Sequence, residues 1–152
     1  MILLEKEFAV FPENEKTNIS FPFAVPEGAD SLKFTFSYSP KVLFDYERAK
    51  CLIENNIKKD AGEFADEYTC WQEFLPLKNL ITLSVDDAEG YRGCAHRQAE
   101  YMEHIISEDF ASPGFNKGKI KEGQWKAVLN IHGIVTEKTD CKLKVEAGDF
   151  RE

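Results

Sequence analysis

The stretch DDAEGYRGCAHR at 86–97 gathers acids, guanidinium groups and an imidazole, with Gly90 and Gly93 loosening the backbone between them. Arg92 and Arg97 each carry a planar fork of donors that suits a carboxylate, a phosphate or a pair of sugar hydroxyls. Three readings compete. The first is a hairpin turn with exposed charges. The second is a polar-ligand site built from Asp87, Arg92, His96 and Arg97. The third is a carboxylate or divalent-metal centre at Asp86, Asp87 and His96, whose carboxylates suit a hard cation although the EF-hand spacing is absent. Ion pairing of the arginines with Asp86, Asp87 and Glu100 would instead turn the cluster into a structural clamp.

Other chemistry is less well supported by spacing. The histidines His96, His104 and His132 are far apart, and nothing in their spacing requires a zinc centre. Cys51, Cys70, Cys94 and Cys141 contain no CxxC pair, and are expected as free, buried thiols. No GxSxG elbow or HExxH pair occurs. No cofactor is expected. Trp71 and Trp125 are flat enough to carry a sugar ring, but Trp125 falls in an inward-alternating set and reads as core. Phe115, in the glycine-rich loop 108–125, reads as part of a structural loop, with an exposed contact as the alternative.

The elements that must hold these residues alternate with period two. Residues 19–25, 32–38, 80–85, 124–131 and 141–146 read as strands, with 101–107 and 3–10 as weaker ones. Pro22 cannot donate to a ladder, which places its strand at an edge or a bulge. One segment follows helical spacing: Leu43, Tyr46, Ile53 and Ile57, after a Ser39-Pro40 pair read as N-cap and first residue. It predicts a helix over 41–59, with a further turn around 63–68. The fold class expected is all-β: an antiparallel two-sheet, jelly-roll-like β-sandwich with one helical insertion, forming a single domain over 1–152. Phe accounts for 12 of 152 residues, a bulk suited to a broad two-layer core. Phe21, Phe23, Phe34 and Phe36 are expected in one layer, facing Trp125, Leu129, Leu83 and Val85. Strand–helix alternation and a glycine-rich phosphate loop are both missing, which disfavours an α/β enzyme.

The formal charge is −8 and the isoelectric point near 5.0, so nucleic acid and anionic membrane surfaces are not expected as partners. The apolar run at the start is only Ile2-Leu3-Leu4 before Glu5, too short for a signal peptide, and no stretch approaches a membrane span. A cytoplasmic location is the expectation.

The motifs LITLSVDD, EGYRGCAHR, ISEDFASPGF and KGKIKEGQWKAVLNIHG form a recognisable series. The series resembles an N-terminal β-sandwich domain that precedes some bacterial metal-dependent phosphoesterases of the polymerase-and-histidinol-phosphatase (PHP) type. The family pattern D-x-x-G-x-R-G is met by Asp87, Gly90, Arg92 and Gly93, and its H-R pair by His96 and Arg97. Its A-T-P-G-[YF] loop is met by Ala111, Pro113, Gly114 and Phe115, with Ser112 where Thr is usual. Its G-x-W is met by Gly123 and Trp125. The resemblance covers 80–146 well and 19–38 loosely. It implies an accessory module, with the catalytic metal site in another domain, whose HxH motifs are missing here. The function expected is therefore a non-catalytic sandwich that binds a polar ligand, carbohydrate-like or anionic, or a protein partner. A separate phosphoesterase chain is one such partner. The alternative is a small hydrolase centred on Asp86, Asp87 and His96.

Overall fold

The computed structural model describes residues 1–61, 71–95 and 99–150. The strands are β1 (Ile2–Val10), β2 (Thr17–Val25), β3 (Ser31–Ser39), β4 (Leu80–Asp87), β5 (Gly90–Cys94), β6 (Tyr101–Ser107), β7 (Gly123–Gly133) and β8 (Thr139–Gly148). A helix, α1 (Tyr46–Ala61), is inserted between β3 and β4. One sheet has the order β1-β8-β3-β6 and the other β2-β7-β4-β5. This is a jelly roll: a ribbon doubled on itself, so that β1 meets β8, β2 meets β7, β3 meets β6 and β4 meets β5.

Period-two alternation explains each strand. In β3, Leu32, Phe34, Phe36 and Tyr38 are buried while Lys33, Thr35 and Ser37 face out. Pro22 lies on β2, whose only ladder partner is β7, so its missing N–H costs no pairing. The aromatic layers differ from the expected ones. Phe21 and Phe23 share a sheet with Trp125, because β2 pairs with β7. Phe34 and Phe36 belong to the facing sheet, and Phe23 meets Phe34 edge-on across the core at 6.0 Å. Trp125 is completely buried beside Phe23.

The helix starts later than the Ser39-Pro40 signal suggests. Residues 41–43 are extended, because Leu43 N–H donates to the Leu77 carbonyl and Asn79 N–H to that of Lys41. Asp45 then caps α1 by accepting the Arg48 N–H at 3.1 Å. Ala49 and Ile53 form the buried stripe of α1, and Arg48 Nε donates to the Val135 carbonyl at 2.8 Å. The turn expected around 63–68 lies outside the described residues. Trp71–Phe74 form a short 3-10 turn with Trp71 half-buried.

Asn79 joins this insertion to the sandwich. Its side chain is fully buried and donates to the Pro40 carbonyl and the Thr136 and Thr139 hydroxyls, at 2.8–2.9 Å. Its Oδ1 accepts the Val135 N–H at 2.7 Å.

Candidate functional site

The residues singled out for chemistry meet at β5. Its register against β4 runs Ser84–Cys94, Val85–Gly93, Asp86–Tyr91 and Asp87–Gly90, which leaves Arg92 as the extra residue of a bulge. A bulge re-aims one side chain. Here Tyr91 stays exposed while Arg92 turns inward and is 6% exposed. Its Nε donates to the Asn116 carbonyl (2.7 Å) and Nη2 to that of Gly118 (2.5 Å). Its Nη1 donates to Asp87 Oδ2 (3.0 Å) and the Lys119 carbonyl (3.3 Å). The guanidinium also lies 5.4 Å from the Trp125 ring centre.

Arg92 therefore fastens the strap 108–122 to the sheet edge. The strap approaches β5 backbone to backbone, with Cys94 N–H donating to the Gly114 carbonyl and Asn116 N–H to that of Arg92. Only glycine fits at position 93: φ is +129°, and a Cβ there would stand 2.5 Å from both Gly114 O and Phe115 Cα. Phe115 is buried, with its ring 5.2 Å from that of His104. That excludes the exposed-contact reading of Phe115. Many of the motif residues, among them Asp87, Arg92, Gly93, Gly114 and Phe115, thus have a packing reason to be there.

Asp87 is the acidic half of the fastening. Its Oδ1 accepts the Glu89 and Gly90 N–H groups at 2.7 and 3.0 Å. Burial pushes its carboxyl up, but the Glu89 N–H, the Arg92 guanidinium and the Gly90 N–H outweigh burial and hold it below its usual 3.8. The folded value is depressed, so this stabilisation is complete above pH 3.8 and is lost as pH falls through the folded value. Asp87→Asn is expected to cost about 1–3 kcal/mol at pH 7. It should also flatten the loss of stability below about pH 4. Urea denaturation from pH 7 to pH 2 reads both effects.

Asp86 leaves the same strand on the other face, level with Lys126 and Tyr91. The two carboxylates therefore diverge, and the described residues hold no group of three acids, histidines or cysteines arranged for a metal ion. His96 and Arg97 lie outside the described residues. His104 is buried on β6, whereas His132 is exposed on β7 with Nε2 2.9 Å from Thr82 Oγ1. Among the described cysteines all three are free. Cys141 is buried and its thiol is pushed up to about 12 by that burial; Cys94 is half-buried; Cys51, contrary to expectation, is exposed. Cys70 lies outside the described residues.

Among the described residues, room for a ligand is found on the opposite sheet. A cleft of about 670 Å³ opens on the outer face of the β1-β8-β3-β6 sheet, lined by Glu7, Ser37, Ser39, Tyr101, Asp140 and Lys142 among others. Strand pairing creates it: Glu7, Lys142, Ser37 and Tyr101 form one row across four strands, and Asp140 and Ser39 are paired in the next. Tyr101 is 58% exposed and its hydroxyl donates to Glu103 at 2.6 Å. A larger cleft, about 780 Å³, lies at the other end of β3, but its charged groups are Asp30, Glu108, Asp109 and Asp149, all acceptors. Its Ser31 and Ser107 hydroxyls bond the backbone. The Tyr101 cleft has donors, acceptors and a flat ring. Sequence reasoning missed it because the row depends on strand order; the local signal is limited to polar residues at alternate positions of 101–103 and 140–144.

No protein-family profile matches the chain, and no curated protein matches it. No helix among the described residues is long and apolar enough to cross a membrane.

Proposed function

We propose that this chain is a non-catalytic jelly-roll module that binds a polar, hydroxyl-rich ligand of carbohydrate-like chemistry in the Tyr101 cleft. The observation that carries the reading is the row Glu7, Lys142, Ser37 and Tyr101 along a cleft of about 670 Å³. That volume lies within the range of roughly 300–1,000 Å³ typical of small-molecule sites. Sugar hydroxyls both donate and accept, so they match a lysine and a serine set beside carboxylates. The exposed ring offers an apolar wall for the less polar face of a sugar. Arg92 and Asp87 serve this module by holding its strap. The accessory role is the one that the PHP-type motif resemblance implies.

Amide chemical shifts test the reading, with cellohexaose, xylohexaose, maltohexaose and an oligogalacturonate as probes. At least one is expected to shift Ser37, Tyr101 and Lys142. Tyr101→Ala should weaken that binding at least tenfold, about 1.4 kcal/mol, with an unchanged melting temperature. No shift with any of the four, or binding indifferent to Tyr101→Ala, overturns it.

A further inference from the structure

The Tyr101 cleft is longer than it is wide. Its lining among the described residues takes 7–9 of β1, 140–142 of β8, 37–39 of β3 and 100–101 at the start of β6. All four strands contribute, and none gives more than three consecutive residues. Neighbouring strands lie about 4.8 Å apart, so three steps make the row from Glu7 to Tyr101 roughly 14 Å long. Along the strands the lining reaches only to the next row, Ala9, Asp140 and Ser39, two residues or about 7 Å away. Ala9 and Ser39 have short side chains, which keeps that second row low.

We infer, resting on the reading of this cleft given above, that the ligand is a linear oligosaccharide lying across the strands, with three rings seated between Tyr101 and Glu7. A sugar unit advances by about one strand spacing, so a row of four strands holds roughly three units end to end. The width holds one unit, so a chain laid along the strands would leave the cleft. The two ends of the row offer different contacts. At β6 the Tyr101 hydroxyl donates to Glu103 at 2.6 Å, which fixes the ring beforehand and lowers the ordering cost of stacking a sugar on it. At the other end Lys142 Nζ lies 3.6 Å from Glu7, and their side chains are 70% and 72% exposed. An ion pair so exposed is worth little to the fold and parts at small cost. Its ammonium then donates to sugar hydroxyls and its carboxylate accepts from them. Ser37 stands between the two ends, with a hydroxyl able to do both. A monosaccharide reaches one end of the row and misses the other.

Amide chemical shifts over a length series test this on the full chain, with glucose, cellobiose, cellotriose and cellohexaose, and the xylose, maltose and galacturonate series alongside. In the series that binds, the trisaccharide should bind about tenfold more tightly than the monosaccharide. The hexasaccharide should gain no more than about fourfold over the trisaccharide, the statistical benefit of its four registers. The trisaccharide should shift the Glu7 and Tyr101 amides together. Glu7→Gln, with an unchanged melting temperature, should weaken the trisaccharide about fivefold and leave the monosaccharide, which stacks on Tyr101, unaffected. Three results each overturn the inference while leaving polar-ligand binding in place: a monosaccharide as tight as the trisaccharide, a trisaccharide that shifts Tyr101 without Glu7, or indifference to Glu7→Gln. Affinity that climbs beyond the statistical gain does the same. No shift of Ser37, Tyr101 or Lys142 with any of these sugars overturns both.

Discussion

Arg92→Ala is expected to lower the stability of the fold by about 4 kcal/mol, within the range for breaking one side of a buried ion pair. The side chain is 8% exposed and that of Asp87 14%, so solvent screens the pair only weakly. Removing the guanidinium strands the Asp87 carboxylate and takes a donor from three carbonyls at 116, 118 and 119. Part of the loss returns as water enters, which keeps the figure below the sum of the separate bonds. For a chain of this size the melting temperature should fall by roughly 8–16 °C. Hydrogen exchange should quicken first at the Asn116 and Gly118 amides, whose bonds hold the strap to β5 and β6. A ligand-contact role for Arg92 makes the opposite forecast, an unchanged melting temperature, and that result would refute the clamp.

The second large effect is expected at Asn79. Asn79→Ala removes a fully buried amide that bonds the Pro40 carbonyl, two threonine hydroxyls and the Val135 N–H. Buried polar groups left unpaired cost about 1–3 kcal/mol each. The hydroxyls of Thr136 and Thr139 can still bond each other at 2.9 Å, so the net cost should be about 3–5 kcal/mol. Asn79→Asp separates acceptor from donor: it keeps Oδ1 for Val135 but loses the donors and buries a charge. It should be at least as damaging at pH 7 and recover partly in mild acid, as the carboxyl takes up a proton. Urea denaturation at pH 7 and pH 5 distinguishes these outcomes; equal stability of all three proteins would remove Asn79 as the joint.

Period-two alternation at 19–25, 32–38 and 141–146 is a local property, and it was enough to place strands and their inner faces. Pro22 limits its strand to an edge or a bulge, and β2 is an edge. Which phenylalanines share a sheet was not legible, because β2 meets β7 across almost the whole chain. The helix start is not legible for a similar reason: Lys41–Leu43 are extended by pairing with residues 77–79, a contact that no spacing near Pro40 encodes. The charged turn was legible as unusual, and the clamp was among its readings. The bulge that turns Arg92 inward onto Asp87 and the strap appears only once β4 and β5 are in register. Asn79 carried no signal at all, since one asparagine ahead of an apolar strand resembles any loop residue.

The pairing of β1 with β8 also bears on how the protein is made. Ile2 finds its partner only when Glu146 has been synthesised. At about 5–20 residues per second, that is a wait of roughly 7–30 s on the ribosome. Throughout it β1 has no ladder partner, and the apolar Leu3, Leu4 and Phe8 lack their final cover. Glu5, Lys6 and Glu7 sit in the middle of that segment, where charge discourages strand-to-strand aggregation. Their charge thus has a service in the interval before the sandwich closes, besides the place Glu7 takes in the finished cleft.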